Sequence, residues 1–268
     1  MTTFQKAIKY LAIAFAVFLM VSIVGGILGA VGIIFHFTDG DAVADSVKNY
    51  EVSQNIKALD IQINAADMTV RLSDSFRVES NLKDLKVSEK DGTLTVREEK
   101  KFTGNYNGAV LTLYLPVEAL LEQAHITSGA GRFTVEALSA GKVELDLGAG
   151  EVDIKALIAT KEADIDGGAG KVTIADGALR NLDLDMGVGQ LVLCSALTGD
   201  CELDLGVGES NLTILGQEQD YTLQIEKGLG SISVNGKQVS EYKGGTGPNE
   251  IDISGGVGAV KVVFQENK

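Results

Sequence analysis

A Gly-x-Gly triplet recurs in fixed phase with its surroundings from residue 129 onward, and this constrains the fold more than any other feature of the chain. The paired glycines are Gly129 and Gly131, Gly148 and Gly150, Gly168 and Gly170, Gly187 and Gly189, Gly206 and Gly208, Gly228 and Gly230, and Gly256 and Gly258. Successive triplets begin 19, 20, 19, 19, 22 and 28 residues apart. Apolar and polar residues alternate on both sides, as in the run from Val143 through Leu145, Leu147 and Val152 to Ile154. Period-two alternation is the pattern of a half-buried strand. Two glycines between such runs mark a sharp corner that needs an unusual backbone angle or a close backbone approach.

A strand pair this short cannot bury its own apolar face, but copies stacked about 4.8 Å apart form continuous parallel sheets around a thin core. The repeat therefore predicts an all-β chain, a single β-solenoid of about ten rungs of 19–20 residues over 56–268. Inward columns are expected at Val143, Ala163, Leu182 and Cys201, at Leu145, Ile165, Leu184, Leu203 and Ile225, and beyond the corner at Phe133, Val152, Val172, Leu191, Ile232 and Val260. The stretch from Leu59 to Val70 has the same alternation, with Ala65, Ala66 and Asp67 in place of the glycines. Asp91-Gly92 reads as a hairpin turn or a corner, and residues 235–248 as a loop inserted between late rungs.

The N-terminal part differs in kind. Residues 10–37 contain no Asp, Glu, Lys or Arg, and about 20 apolar residues suffice to cross a bilayer as a helix. The run is too long for a cleaved signal peptide, whose apolar region is about 7–15 residues, so a retained transmembrane helix is expected over 10–37. Lys6 and Lys9 precede it, whereas Asp39, Asp41 and Asp45 follow it. The positive-inside bias then places residues 1–9 in the cytoplasm and the C-terminal domain outside the cell membrane. Residues 38–55 read as a polar linker or short helix.

Several features together resemble a known family: the degenerate first rung from Leu59, the run Thr93-Leu-Thr-Val-Arg97, the run from Val110 to Pro116 leading into the first true repeat, and the repeated Gly-Ala/Val-Gly units. The chain is similar to the bacterial putative-adhesin domain of unknown function, found in surface proteins of the envelope-stress type. The resemblance covers most of 59–264. It implies a β-solenoid ectodomain without established enzymatic chemistry, and it carries no catalytic motif to transfer.

The outward positions before the corners are acidic in successive copies. Four residues before the first glycine lie Glu144, Asp164, Asp183 and Glu202; two before it lie Asp146, Asp166, Asp185 and Asp204, then Glu226. In-register stacking makes these two carboxylate ladders on one face. Like charges about 4.8 Å apart repel by on the order of 1 kcal/mol in water. Such a face serves solubility and discourages lateral pairing, or binds cations: cationic peptides drawn by the negative field, or Ca²⁺, which takes oxygen ligands. A net charge of −14 argues against nucleic-acid binding, which needs clustered Lys and Arg.

Other chemistry has little material. With two histidines and two cysteines, no metal centre or Cys-His pair is read from the spacing; His36 and His125 read as structural. Cys201 is expected to point inward and Cys194 to sit at a corner, with a disulfide between them chemically allowed outside the membrane. Gly167 to Lys171 lacks the Gly-Lys-Ser/Thr and following helix of a phosphate loop. The expected function is a membrane-anchored surface protein displaying a non-catalytic interaction face, for adhesion or envelope sensing. The alternatives are a polysaccharide-active enzyme, disfavoured because the carboxylates are repeated equivalently, and a regulator of neighbouring membrane proteins.

Overall fold

The computed structural model describes residues 42–99, 105–226 and 228–266. The expected cytoplasmic segment 1–9 and transmembrane helix 10–37 lie outside the described residues. Among the described residues no helix is long and apolar enough to cross a membrane. The chain divides into two units, the smaller comprising Met1–Ala42 and Thr103–Asn107. In it the Ala42 N–H donates to the Asn105 carbonyl at 3.0 Å.

The larger unit consists almost entirely of strands: Val43–Glu51 (β1), Ala58–Ala65 (β2), Asp67–Ser73 (β3), Arg77–Leu82 (β4), Leu85–Lys90 (β5), Thr93–Glu98 (β6), Val110–Pro116 (β7), Leu121–Val135 (β8), Leu138–Ile154 (β9), Leu157–Ile174 (β10), Gly177–Arg180 (β11), Leu182–Thr198 (β12), Asp200–Leu215 (β13), Tyr221–Glu226 (β14), Leu229–Val234 (β15), Lys237–Val239 (β16), Tyr242–Gly245 (β17) and Asn249–Gln265 (β18). Among the described residues one 3₁₀ turn, Glu218–Asp220, accompanies them. The unit is all-β and solenoid-like.

Its centre is a parallel stack in which β8, β9, β10, β12 and β13 lie one above the next. Register is residue for residue: Ile126 pairs with Leu145, Leu145 with Ile165, Ile165 with Leu184, and Leu184 with Leu203. All five are fully buried. A one-residue slip would turn this whole column to solvent and the acidic residues into the core, so the alternation itself fixes the register. The column through Ala124, Val143, Ala163 and Leu182 is buried in the same way, as is the column beyond the corner through Phe133, Val152, Val172 and Leu191.

The corner glycines are required by contact between rungs. A Cβ on Gly148 would overlap the carbonyl oxygen of Gly129, and one on Gly168 that of Gly148. The second glycine adds a backbone constraint, since Gly150 has φ +148. Each rung thus approaches its neighbour backbone to backbone, which no side chain permits.

Spatial order departs from chain order at both ends of the stack, correcting the expectation of about ten sequential rungs. The last triplet, Gly256 to Gly258, lies directly on Gly206 to Gly208 because β18 pairs with β13. The Gly228 to Gly230 triplet lies outside β18, through β14 and β15. The chain lays down the outer rung first and then returns to fill the gap. Ile253 therefore stands between Leu203 and Ile225, and beyond the corner the order is Leu191, Ser210, Val260, Ile232. At the other end β2 and β3 pair directly with β8, while β6 and β7 lie outside them. The interval from Ala65 to Gly129 is thus an outward excursion and not three successive coils.

Antiparallel strands cover both terminal rungs. β5 pairs with β6 and β4 with β7; β17 pairs with β14 and β16 with β15. Such covers keep a stack from growing end to end. Asp91-Gly92 and Asn235-Gly236, all with positive φ, make the two tight hairpin turns. Residues 235–248 are accordingly part of a cap with two strands of its own. Residues 43–51, read as linker or short helix, form β1, which pairs antiparallel with β4; tertiary pairing overrides a weak local preference.

Candidate functional site: the acidic face

Strand alternation sends the residues four and two before each corner outward, and the register brings them into columns. Glu144 pairs with Asp164, Asp164 with Asp183, and Asp183 with Glu202. Alongside, Asp146 pairs with Asp166, Asp166 with Asp185, and Asp185 with Asp204. The structure therefore assembles eight of the nine residues expected there into two adjacent ladders. Glu226 is on the same face but does not follow Asp204, because Ser254 stands between them. In exchange the first ladder is longer than expected: Glu202 pairs with Asp252. The signal was present in the sequence, since Asp252 lies four residues before Gly256, in the phase of the others.

Desolvation and repulsion act together at the middle of the array. The Asp164 carboxyl is held above the usual carboxylate range by its partial desolvation first, and then by the charges of Asp166, Asp183, Glu144 and Asp146. The face beyond the corner is different in character, with Arg132, Glu151, Lys171, Gln190 and Glu209 in one column and an ion pair between Arg132 and Glu151 at 3.3 Å. Charges of both signs there compensate one another. The single-sign field belongs to the face before the corner.

The ladders stop at β8, where the same two positions are His125 and Thr127. Counting back four from Gly129 reaches His125, so the phase that located the carboxylates also locates this imidazole. Its Nε2 lies 3.1 Å from Asp146 Oδ2 and 3.7 Å from Glu144 Oε1, and its Nδ1 lies 3.9 Å from Asp60 Oδ1. Thr127 Oγ1 donates to Asp146 Oδ2 at 2.9 Å, and Arg97 pairs with Asp60 at 2.5 Å. His125, expected to be structural, is therefore half-buried at the head of the acidic face.

Cys194 and Cys201 are free thiols. Cys201 is buried in the inward column against Ile251, and burial pushes its thiol up. Cys194 is half-buried opposite Thr213, so the structure does not join the pair.

Two cavities under the corner column measure ≈ 20 and ≈ 10 Å³, room for about one water each. A wider hollow of ≈ 560 Å³ beside the 3₁₀ turn is lined by Gln217, Glu218, Phe264 and Glu266. Its carboxylates are already engaged, Glu218 by the hydroxyl of Tyr242 and the amide of Asn235, and Glu266 by the amide of Gln217.

The Toastrack DUF4097 family profile matches residues 47–253. Among solved structures, a Bacteroides fragilis protein described as a putative adhesin is 16% identical, covers 83% of this chain and 100% of its own, and superposes with a TM-score of 0.51. A Parabacteroides distasonis protein also described as a putative adhesin is 16% identical, covers 81% of this chain and 96% of its own, with a TM-score of 0.46. At such identities the first likeness speaks for the fold alone, and the second carries no argument. No curated protein matches the chain.

Proposed function

The chain belongs to the Toastrack DUF4097 family, and from that premise we propose that it is a membrane-anchored bacterial surface protein whose solenoid presents a non-catalytic interaction face. In this reading residues 10–37 span the cell membrane, residues 1–9 are cytoplasmic, and the strands from β1 onward lie outside. The observation that carries the reading is the unbroken acidic ladder from Glu144 to Asp252, with its parallel partner from Asp146 to Asp204. A surface that only needed solubility could mix signs, as the face beyond the corner does. Stacked carboxylates of one sign concentrate the field and draw a polycationic partner. Cationic peptides or basic protein segments fit that chemistry, in adhesion or in sensing of envelope stress. The description of the Bacteroides fragilis neighbour as a putative adhesin agrees with a surface role. A polysaccharide-active enzyme is less well supported, because the ladder carboxylates recur equivalently from rung to rung and those lining the wider hollow, Glu218 and Glu266, are already hydrogen-bonded.

Titrating a fluorescent polycationic peptide against the chain and its Asp166→Asn/Asp185→Asn/Asp204→Asn variant at several salt concentrations tests the reading. The variant should bind about tenfold or more weakly, with a shallower dependence on salt. Unchanged affinity and unchanged salt slope would remove the acidic face from the function.

A further inference from the structure

The head of the acidic face differs chemically from the rest of it. We propose that His125, Glu144 and Asp146 form a binding site for a divalent transition-metal ion of the Zn²⁺ class, distinct from diffuse attraction of cations along the ladders. Each of the three offers one ligand atom, and those atoms lie within 4.8 Å of one another. Zn–N and Zn–O bonds of about 2.0–2.2 Å at tetrahedral angles put neighbouring ligand atoms about 3.4 Å apart. The observed separations from His125 Nε2, 3.1 Å to Asp146 and 3.7 Å to Glu144, bracket that value, so small side-chain rotations suffice.

The surroundings supply what a metal-bound imidazole needs. Nε2 lies within hydrogen-bond distance of Asp146, so a metal ion there takes the place of the Nε2 proton, and Asp60, 3.9 Å from the opposite ring nitrogen Nδ1, is the carboxylate toward which the remaining Nδ1–H turns. Arg97 fixes Asp60 from its far side. Thr127 donates to Asp146, the outer hydrogen bond by which ligating carboxylates are oriented. Among the described residues no Lys or Arg pairs with Glu144 or Asp146, and the basic side chain within 4 Å of them is His125. The two carboxylates thus carry charge that no neighbouring Lys or Arg offsets and that a dication neutralises. The three ligands come from adjacent parallel strands, β8 and β9, in fixed register, so the site is held by the stack and not by a loop. An imidazole nitrogen with two carboxylate oxygens suits Zn²⁺ and its neighbours over Ca²⁺ or Mg²⁺, which take all-oxygen shells.

Zn²⁺ titration of the full chain by calorimetry tests the assignment, with His125→Gln, Glu144→Gln and Asp146→Asn as ligand variants and Asp204→Asn as a variant of the same charge change three rungs further along. The expected result is one Zn²⁺ per chain, an affinity lowered about tenfold or more in each ligand variant, and an affinity within about twofold of the parent in Asp204→Asn. Ca²⁺ titrated in parallel should be indifferent to His125→Gln. Zn²⁺ affinity unmoved by His125→Gln and Glu144→Gln, or lowered as much by Asp204→Asn, would overturn the site and leave a general cation field.

Discussion

The carbonyl oxygen of Gly131 occupies the space that a Cβ on Gly150 would need. The same relation recurs from rung to rung, so the glycines set the distance at which one coil lies on the next. Gly150→Ala should cost about 2–5 kcal/mol, combining backbone strain at φ +148 with the overlap. Gly236→Ala separates the two causes, because Gly236 has φ +77 but nothing within 4 Å of an added Cβ. It should cost only about 1–2 kcal/mol. Denaturant midpoints of the two variants check both figures.

Asp164 lies at the centre of the acidic array, and its carboxyl binds a proton more readily folded than unfolded. A raised carboxyl makes its unfavourable contribution at neutral pH and is relieved as pH falls through the raised value toward the ordinary 3.8. Asp164→Asn should therefore stabilise the chain at pH near 7, by about 0.2–1 kcal/mol for relief of cross-strand like-charge pairs. The gain should shrink as pH is lowered. Melting temperatures of parent and variant at several pH values measure the difference.

Burial of Cys201, and the upward displacement of both thiols, predict slow chemistry in the native state. A thiol reagent should modify half-buried Cys194 first and Cys201 only at the rate of unfolding. Both should react promptly, without prior reduction, once the chain is denatured. Mass spectrometry of the modified peptides distinguishes the sites, and a 194–201 crosslink would contradict the free thiols.

The proposed orientation has a direct cellular consequence. An epitope tag after Lys268 should be stained by antibody on intact cells from which the outer wall layers have been opened, whereas a tag before Met1 should need membrane permeabilisation. The reverse pattern would invert the reading of Lys6 and Lys9.

Much of this was legible in the chain because the repeat couples local pattern to global register. The columns from Leu145 to Leu203 and the ladders from Glu144 to Glu202 follow from phase alone, since period-two alternation and a constant rung length leave one way to stack them. Rung order at the ends was not legible. Whether β18 or the segment of β14 and β15 lies on β13 depends on which of them takes the inner position, and both segments carry the same alternation and a Gly-x-Gly. Spacing cannot choose between them, although the lengthening intervals of 22 and 28 residues mark where the simple winding ends. β1 was missed because its partner, β4, is remote and its own residues are mostly exposed. His125 was missed for another reason: judged as a lone histidine it had no partner, whereas its phase places it beside Glu144 and Asp146.

The central claim is that one face, defined by rung order in space, attracts the partner, and not the net charge of the chain. Comparison of Glu202→Gln, Asp252→Asn, Glu151→Gln and Glu209→Gln tests it most directly, because each removes one negative charge. Glu202 and Asp252 are neighbours on the ladder although 50 residues apart in the chain, whereas Glu151 and Glu209 stand beyond the corner. Polycationic-peptide affinity, measured at low salt, should fall by a similar factor for Glu202→Gln and Asp252→Asn and stay at the parent value for the other two. An equal loss in all four variants would mean that total charge governs binding, and would contradict the account.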